Sequence, residues 1–524
     1  MRGVRHQPAW RRRAGRRPTG PGLALLAAAI LAIGASGCTG GSGPAPSGRS
    51  SAATSGSGPS FPTKPVAHPN VVFVLTDDLS TNLVQYMPHL LALRRAGTSF
   101  SNYTVTDSLC CPSRSSIFSG KFPHDTGVFT NTGADGGFDV FHSRGEENDT
   151  FATALQQAGY RTAMMGKYLN GYNPADTLGG SQPYVPPGWN EWDVAGNGYH
   201  EFNYDLNQNH RVVHYGTTAS DYLTDVVSGK GSAFISASAA SHAPFLLEIA
   251  TFAPHAPYIP APRDANAFPS LTAPRGPAFD TLPSDPPTWL AARTPLTSTE
   301  IGKIDTAFRK RVQAVQAVDR MIAALEATLA KAGVAGSTDI VFSSDNGYHM
   351  GQRRLMPGKQ TAFDHDIRVP LVVVGPGVRP GREIDALAQN TDLRPTFSRI
   401  GGAHVPSNVD GRSLLDLLHG RRVPHDWRDA ALIEHHGPDL LPSDPDHPGK
   451  GSGNPTTYEA IRTPHSLYVE YRNGEREYYD LRKDPYELVN TVGRLSERDL
   501  AHLHARLVAL ERCKGMRSCR AAGK

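Results

Sequence analysis

The sequence predicts an α/β fold with a large, mixed but mostly parallel sheet, followed by a small C-terminal α+β domain with an antiparallel sheet. Three observations predict it. Apolar strands that end in polar residues recur along the chain, a long amphipathic helix lies between two of them, and the pattern becomes alternating near the C-terminus. A chain of 524 residues also indicates several domains rather than one small module.

The first predicted strand is residues 70–75, a continuous apolar run followed at once by Thr76, Asp77 and Asp78. A run of this kind, rich in β-branched residues and without alternation, is typical of a parallel strand that is buried on both faces. The strand therefore delivers two carboxylates at its carboxyl end.

Three later segments repeat this arrangement of an apolar strand followed by polar residues. They are residues 161–165 before Gly166 and Lys167, residues 244–252 before Pro254 and His255, and residues 339–343 before Asp345 and Asn346. Ligands of open α/β sheets bind outside the carboxyl ends of the strands, so side chains from distant positions are expected to meet there. The four segments together predict one composite site.

A long amphipathic helix is predicted between the last two of these strands. Its apolar residues recur at steps of three and four, which is the period of one helix face, and Gly333 follows as a stop signal. The apolar positions are Ile304, Phe308, Val312, Val315, Val318, Ile322, Leu325 and Leu329.

The pattern changes to a period of two after about residue 425. Residues 467–471 and 476–481 flank the dipeptide Asn473-Gly474, which favours a tight turn, so they are predicted to form a β-hairpin. A small antiparallel sheet is therefore expected to follow the large domain.

The first 37 residues are predicted to be a signal peptide. An arginine-rich start precedes the apolar residues 23–33, a stretch too short to span a bilayer as a mature helix. Small residues precede Cys38, which resembles the lipobox of bacterial lipoproteins, where the cysteine is acylated. The alternative is an ordinary signal peptide with a chance cysteine, and hence a secreted protein. The general secretory route and the twin-arginine route both remain open.

These patterns divide the chain into four parts and predict a protein held at the extracytoplasmic face of the membrane by a lipid anchor only. The Gly-, Ser- and Pro-rich segment after Cys38 has the composition of a flexible tether. The parts are a signal peptide at 1–37, the tether at 38–65, the large domain at 66–424 and the small domain at 425–524.

The net charge of +4 does not indicate a nucleic-acid-binding protein. Seven of the 53 basic residues and none of the 49 acidic residues lie in the first 37 positions, so the rest of the chain carries −3. The basic excess therefore belongs to the segment that export removes, and no nucleic-acid partner is expected.

Five cysteines occur in three contexts. Cys38 lies in the lipobox, Cys110 and Cys111 are adjacent, and Cys513 and Cys519 are predicted to form a short disulfide, which is stable outside the cytoplasm. Adjacent cysteines seldom bond each other, and no Cys/His spacing typical of zinc surrounds Cys110.

Residues 110–114, Cys-Cys-Pro-Ser-Arg, match the C-x-P-S-R signature of type I sulfatases, and on this motif the chain resembles that family. The resemblance implies an alkaline-phosphatase-like three-layer sandwich that hydrolyses sulfate monoesters. In the family, a separate generating enzyme oxidises the cysteine to formylglycine (3-oxoalanine), whose hydrate is the nucleophile. Cys110 is the matching residue, because Cys111 would put Ser113 where the motif has proline.

The family pattern also implies a metal site completed by residue 110. Its four other ligands offer only oxygen atoms, which suits Ca²⁺, the family's usual ion, or Mg²⁺ rather than zinc. An Asp-Asp pair alone would fit a turn or a helix cap, but a second strand-end pair favours a metal. The implied ligands are Asp77, Asp78, Asp345 and Asn346.

Sulfate ester cleavage needs cations around the sulfuryl group and an acid for the leaving alcohol. The resemblance assigns Arg114 to the nucleophile's surroundings and Lys167 and Lys359 to the sulfate. His255, at a strand end, is predicted to be the leaving-group acid.

Two further residues are predicted to contact substrate. His349 lies on the loop after the metal ligands, with a histidine satisfied by its own loop as the alternative, and Asn170 lies shortly after Lys167. Leu169 stands where many sulfatases have the histidine of a Gly-Lys-Trp-His string, so a second histidine near the nucleophile is missing or comes from elsewhere.

Several strings resemble the branch of N-acetylglucosamine-6-sulfatases and heparan endosulfatases, which implies a 6-O-sulfated amino sugar or a related sulfated glycan as substrate. Two alternatives remain: a phosphodiester or phosphonate monoester hydrolase of the same superfamily, and a catalytically silent lipoprotein that binds sulfated glycans. The strings are residues 110–120, 166–170, 187–189, 221–225, 307–311 and 345–352.

Overall fold

The computed structural model describes residue 62 and residues 64–524. The predicted signal peptide, Cys38 and nearly all of the predicted tether lie outside the described residues. Within the described part, no helix combines the length and apolarity that crossing a bilayer requires.

Sixteen strands form three sheets in the described residues. In chain order they are β1 (Asn70–Thr76), β2 (Thr98–Phe100), β3 (Tyr103–Thr104), β4 (Arg161–Lys167), β5 (Glu191–Ala195), β6 (Tyr204–Gln208), β7 (Val212–Tyr215), β8 (Phe245–Ala250), β9 (Thr338–Ser344), β10 (Leu371–Val374), β11 (Arg382–Ile384), β12 (Ala388–Gln389), β13 (Ala431–His435), β14 (Tyr458–Arg462), β15 (Ser466–Tyr471) and β16 (Arg476–Asp480).

Thirteen α-helices connect and cover these strands in the described part. They are α1 (Pro88–Ala96), α2 (Cys110–Ser119), α3 (Pro123–Thr126), α4 (Gly137–Ser143), α5 (Phe151–Gln157), α6 (Leu223–Ala240), α7 (Thr288–Ala291), α8 (Ser298–Lys331), α9 (Asp364–Ile367), α10 (Leu393–Ile400), α11 (Leu415–Leu418), α12 (Glu497–Glu511) and α13 (Gly515–Ala522).

The large sheet has ten strands in the order β11-β2-β10-β9-β1-β8-β4-β5-β6-β7. Its central strands β9, β1, β8, β4 and β5 are parallel to one another, whereas β10, β6 and β7 add antiparallel pairings towards the edges. The four strands predicted to end in polar residues are thus neighbours at the centre of this mixed sheet. Their carboxyl ends share one edge, as the sequence predicted.

The sheet is covered on both faces, which makes a three-layer sandwich. Alternate residues of β1 pack into two different cores: Phe73 joins a core with α2, α5 and α10, and Val74 joins a core with α6 and α8. Both faces are therefore dry, which explains why β1 is apolar without alternation. The predicted α/β fold is confirmed.

The predicted amphipathic helix is α8, and its apolar positions from Ile304 to Leu329 are buried in the second core. The helix begins at a capping box in which Thr297 and Glu300 bond each other's backbone N–H groups. The helix begins six residues before Ile304, the first apolar position of the prediction. The apolar period could not locate this start, because the cap and the first turn are polar.

The C-terminal part of the chain contains a four-stranded antiparallel sheet in the order β13-β14-β15-β16. The predicted hairpin is β15 and β16, joined through Gly474, whose φ of 89° is in the left-handed region that the turn requires. Helix α12 packs on this sheet, and beyond it Cys513 and Cys519 are joined by a disulfide.

Candidate active site

Four central strands bring the predicted polar residues to one place. Asp77 and Asp78 follow β1, His255 lies beyond β8, Lys167 is the last residue of β4, and Asp345 follows β9. Each of these side chains is buried. A charged group is seldom buried unless it is paired, so the ion pairs between these residues determine the chemistry of the site.

Cys110 is the first residue of α2 and faces the ends of the strands. Its thiol donates to Asp77 Oδ1 at 3.1 Å, and Nζ of Lys359 donates to its sulfur at 2.9 Å. Burial raises the pKa of this thiol well above its usual range, and the nearby carboxylates of Asp345, Asp446 and Asp77 raise it further. An unmodified Cys110 is therefore a neutral thiol in this site.

Cys111 points away from the strand ends into the core that contains Phe118. Burial raises the pKa of its thiol to about 12. The two adjacent cysteines thus occupy different environments, and only Cys110 contacts the polar cluster.

The two predicted lysines bind the two aspartates after β1. Nζ of Lys167 lies 2.6 Å from Asp77 Oδ2, and Nζ of Lys359 lies 2.7 Å from Asp78 Oδ1. Burial would lower the pKa of each lysine, but these carboxylates and, for Lys359, that of Asp446 outweigh it and raise the pKa well above the usual range. Both lysines are therefore fixed positive charges.

Arg114 lies one turn after Cys110 on α2 and is fully buried. Its Nε donates to Asp345 Oδ2 at 2.7 Å, and its Nη1 donates to the backbone carbonyl of Lys167 at 2.9 Å. The guanidinium thus ties α2 to the ends of β9 and β4. Strand β4 packs closely against β8 at this point, because a Cβ on Gly166 would lie only 1.9 Å from the carbonyl oxygen of Ala250.

The oxygen atoms of this cluster fit a hard divalent cation. Asp78 Oδ2 and Asn346 Oδ1 are buried and lack a hydrogen-bond partner among the described residues, although buried polar atoms are normally paired. Asp77, Asp78, Cys110 and His255 each offer one ligand atom, and these atoms lie within 4.8 Å of one another. Asp345 differs, because both of its carboxylate oxygens already accept protein hydrogen bonds.

His255 has hydrogen-bond acceptors at both ring nitrogens. Nδ1 lies 2.7 Å from the carbonyl oxygen of Ala256, and Nε2 lies 2.5 Å from Asp446 Oδ1. A carbonyl and a carboxylate only accept, so this arrangement suits the doubly protonated ring. Burial would lower the pKa of His255, but Asp78 and Asp446 outweigh it and raise the pKa. Tyr199 covers the ring at a centroid distance of 4.5 Å.

The sequence-based prediction missed Asp446. This residue lies on the segment 436–457 between β13 and β14, in the C-terminal part of the chain. Its Oδ1 is 2.7 Å from Nζ of Lys359. Nδ2 of Asn131 holds its other oxygen at 2.6 Å. No strand-end pattern precedes Asp446. The only available signal was an acidic, Pro-rich string in a long connection.

The two predicted substrate contacts have different surroundings. His349 is held through both ring nitrogens, by Asp366 at 2.9 Å and by the carbonyl of Ser452 at 2.7 Å, which favours the alternative of a histidine satisfied within the protein. Asn170 donates to the Tyr199 hydroxyl at 3.3 Å, but its Oδ1 is buried and has no partner in the described structure.

A cleft of about 210 Å³ opens onto this cluster. Asp78, His255, Lys359 and Asp446 reach its wall, and residues of the segment 436–457 form one side. Cys110, Asp77 and Lys167 lie deeper and do not line it. The carboxylate of Asp446 lies in the wall of the cleft, where it contacts Lys359 and His255.

Two models of known protein families match this chain. Residues 69–403 match the sulfatase family model, and residues 354–513 match the model of the C-terminal part of N-sulphoglucosamine sulphohydrolase. The two matches together cover all three sheets of the described structure.

Similar proteins and structures agree with these matches. The human N-acetylglucosamine-6-sulfatase is 35% identical over 482 residues, which covers 87% of this chain and 86% of that protein. A solved structure in complex with its substrate D-glucosamine-2-N,6-O-disulfate superposes with a TM-score of 0.70 at 23% identity, covering 85% and 97% of the two chains. The phosphonate monoester hydrolase of Agrobacterium radiobacter shares the fold, with a TM-score of 0.63 at 21% identity and coverage of 85% and 95%.

Proposed function

Because the chain belongs to the sulfatase family and is a sulfuric ester hydrolase, we propose that it removes a 6-O-sulfate from N-acetylglucosamine or a related amino sugar of a sulfated glycan. The observation that carries this proposal is the position of Cys110 at the start of α2, in contact with Asp77 and Lys359. Similarity to the human N-acetylglucosamine-6-sulfatase over most of both chains supports the choice of sugar.

The nucleophile is residue 110 after a generating enzyme has oxidised its cysteine to formylglycine. Such a hydrated aldehyde supplies one hydroxyl that attacks sulfur and a second whose deprotonation later expels sulfate, so no second attack at sulfur is needed. Arg114 supports this role, because it fixes the helix that carries residue 110 to the ends of two strands.

A divalent cation, Ca²⁺ or Mg²⁺, would be held by Asp77, Asp78, Asn346, residue 110 and Asp345. When bound, it would lower the pKa of a hydroxyl at residue 110. The unpartnered oxygens of Asp78 and Asn346 support the site, and Asp345 would join it while keeping Arg114 as a second partner.

Lys167 and Lys359 bind the sulfuryl oxygens, since both are buried cations that pair with the aspartates beside residue 110. Their charge stabilises the negative charge of the transition state most where water is excluded. His255 gives its Nε2 proton to the ester oxygen as the bond from that oxygen to sulfur breaks, and the alcohol leaves neutral.

The protein acts outside the cytoplasm, anchored by a lipid on Cys38. The arginine-rich apolar N-terminus and the cysteine after small residues support this location, and the disulfide between Cys513 and Cys519 fits an oxidising compartment. Its partners are the sulfated glycan, the generating enzyme and the membrane through the anchor.

The test is the release of sulfate from defined substrates by the purified protein, with Cys110→Ala as the control. We expect release from 6-sulfated N-acetylglucosamine and higher activity on aryl sulfates than on matched phosphodiester or phosphonate esters. A sulfate-to-phosphate ratio below one would favour the phosphonate hydrolase alternative. Only a free thiol in the tryptic peptide of Cys110, together with no turnover, would favour a silent glycan-binding protein.

A further inference from the structure

A second depression of about 400 Å³ lies beside the cleft of the active site. Tyr199 belongs to its wall and also covers the ring of His255, and Pro445 lines both the depression and the cleft. The depression therefore begins one side chain away from the group that we propose protonates the leaving alcohol.

Amides and tyrosines dominate the wall of this depression. Asn170, Asn197 and Asn203 contribute amides, while Tyr199 and Tyr204 contribute aromatic rings with hydroxyl groups. Amides and hydroxyls both donate and accept hydrogen bonds, as sugar hydroxyls do, and aromatic faces cover C–H groups. This is the chemistry that a carbohydrate ring requires.

Two of these groups are buried without a partner. Oδ1 of Asn170 and the hydroxyl oxygen of Tyr204 make no hydrogen bond within the described structure, although the two residues are only 6% and 3% exposed. Leaving a buried polar group unpaired is costly, so such groups call for an explanation. A ligand that brings hydroxyl groups into the depression would satisfy both.

The wall also carries no positive charge in the part of the chain that the structure describes, since no Lys, Arg or His lines it. Its one charged side chain is Asp205, which pairs with His214 at 2.9 Å. A carboxylate or a second sulfate would be desolvated there without a counter-charge, which is unfavourable. The depression thus suits an uncharged ring.

We propose that this depression, defined by Asn170, Asn197, Asn203, Tyr199 and Tyr204, binds an uncharged sugar joined to the sulfated one. The inference rests on the proposed function, because the sulfated sugar must sit next to His255. The preferred substrate is then an oligosaccharide in which a neutral hexose, rather than a uronic acid, neighbours the 6-sulfated amino sugar.

The experiment compares kcat/KM for three substrates of the full-length enzyme: 6-sulfated N-acetylglucosamine alone, the same sugar linked to galactose, and the same sugar linked to glucuronic acid. Each disaccharide is tested with the second sugar on either side of the sulfated sugar. We expect the galactose disaccharide to exceed the monosaccharide by about tenfold, equivalent to about 1.4 kcal/mol. The glucuronic acid disaccharide is expected to gain less than threefold, on the order of one weak contact.

Two variants test the chemistry of the wall. Tyr204→Phe removes the unpartnered hydroxyl and is expected to reduce the galactose gain about threefold or more. Its matched control is Tyr215→Phe, since Tyr215 stacks on Tyr204 but does not line the depression. Asn197→Lys adds a cation and is expected to raise the glucuronate-to-galactose ratio about threefold or more. Its control is Ala237→Lys on the exposed side of α6.

The outcomes separate this inference from the proposed function. If the monosaccharide is desulfated but neither disaccharide gains, or if the glucuronate disaccharide is preferred, the inference is overturned and the proposed function stands. If Tyr204→Phe and Tyr215→Phe change the galactose gain equally, the depression is not the subsite. If none of the three substrates is desulfated, the proposed function fails and this inference fails with it.

Discussion

The carboxylate of Asp446 lies 2.5 Å from Nε2 of His255. The same oxygen lies 2.7 Å from Nζ of Lys359, so one carboxylate from the segment between β13 and β14 binds two groups that we propose act on the sulfate ester. Burial would raise the pKa of Asp446, but Lys359 and His255 outweigh it and hold the pKa well below its usual range. Asp446 is therefore an anion located where an anionic substrate must bind.

Substitution of Asp446→Asn is expected to strengthen inhibition by inorganic sulfate. The amide keeps the size of the side chain but removes the negative charge that competes for Lys359 and His255. We expect the inhibition constant for sulfate to fall by roughly tenfold, or about 1.4 kcal/mol, in steady-state assays with an aryl sulfate.

The control for this experiment is Asp439→Asn, because Asp439 lies on the same segment and bonds the backbone of Leu441, and no hydrogen bond or ion pair of the described structure joins it to Lys359, His255 or Asp446. It is expected to change the inhibition constant by less than about twofold. Weaker sulfate inhibition in the Asp446 variant would mean that Asp446 supports anion binding by orienting His255 instead of competing with sulfate.

The adjacent cysteines are expected to respond differently to substitution. Cys110→Ala should lower sulfate release by roughly a thousandfold or more, since it removes the nucleophile. Cys111→Ala should retain activity while losing about 1 kcal/mol of stability, because Cys111 contributes only to the core. Initial rates, thermal unfolding and tryptic mass spectra measure these effects. Equal loss of activity in both variants would contradict the assignment to Cys110.

Calcium is expected to stabilise protein that has been treated with a chelator. A ligand that binds only the folded state at a hundred times its Kd adds about 2.7 kcal/mol, which would appear as a higher Tm. Asn346→Ala should reduce this increase, because it removes an unpartnered oxygen, whereas Asn408→Ala, at an exposed position, should not. A Tm that neither Ca²⁺ nor Mg²⁺ changes would argue against the metal site.

His124, which is not one of the active-site residues, is expected to make the free energy of unfolding depend on pH. Burial would lower its pKa, but the hydrogen bond and charge of Glu434 raise it to about 9. The folded state thus binds the proton more tightly than the unfolded state. The stabilisation is complete below the unfolded pKa of about 6.5 and is lost as the pH rises through about 9, with a size of about 1 to 3 kcal/mol.

Denaturant unfolding of His124→Gln at pH 6 and pH 9.5 measures this effect. The difference from the unmodified protein should be large at pH 6 and small at pH 9.5. The control is His504→Gln, because His504 is exposed where it pairs with Glu470. Exposed ion pairs contribute little, so this variant should differ little from the unmodified protein in stability at either pH. A pH-independent cost for His124→Gln would indicate packing rather than ion pairing.

Residues that follow apolar strands were predictable from sequence, and residues on long connections were not. Asp77, Lys167 and His255 follow or end strands whose apolar runs are visible in the sequence, and parallel strands bring their carboxyl ends to a common edge. The identity of the nucleophile came from a motif. Sequence could not decide whether His349 faces substrate, because its partner Ser452 lies 103 residues further along the chain.

The sequence by itself determined the mixed α/β sheet, the second antiparallel sheet and the family, because strand periodicity and the Cys-x-Pro-Ser-Arg motif are local properties of the chain. Only the tertiary structure decided that Asp446 binds His255. It also decided that Asn170 lines a depression whose described wall contains no basic side chain. The positions of Asp446 and Asn170 depend on how two irregular segments pack against the rest of the protein. Many weak contacts together determine this packing, and no period or spacing in the sequence predicts it.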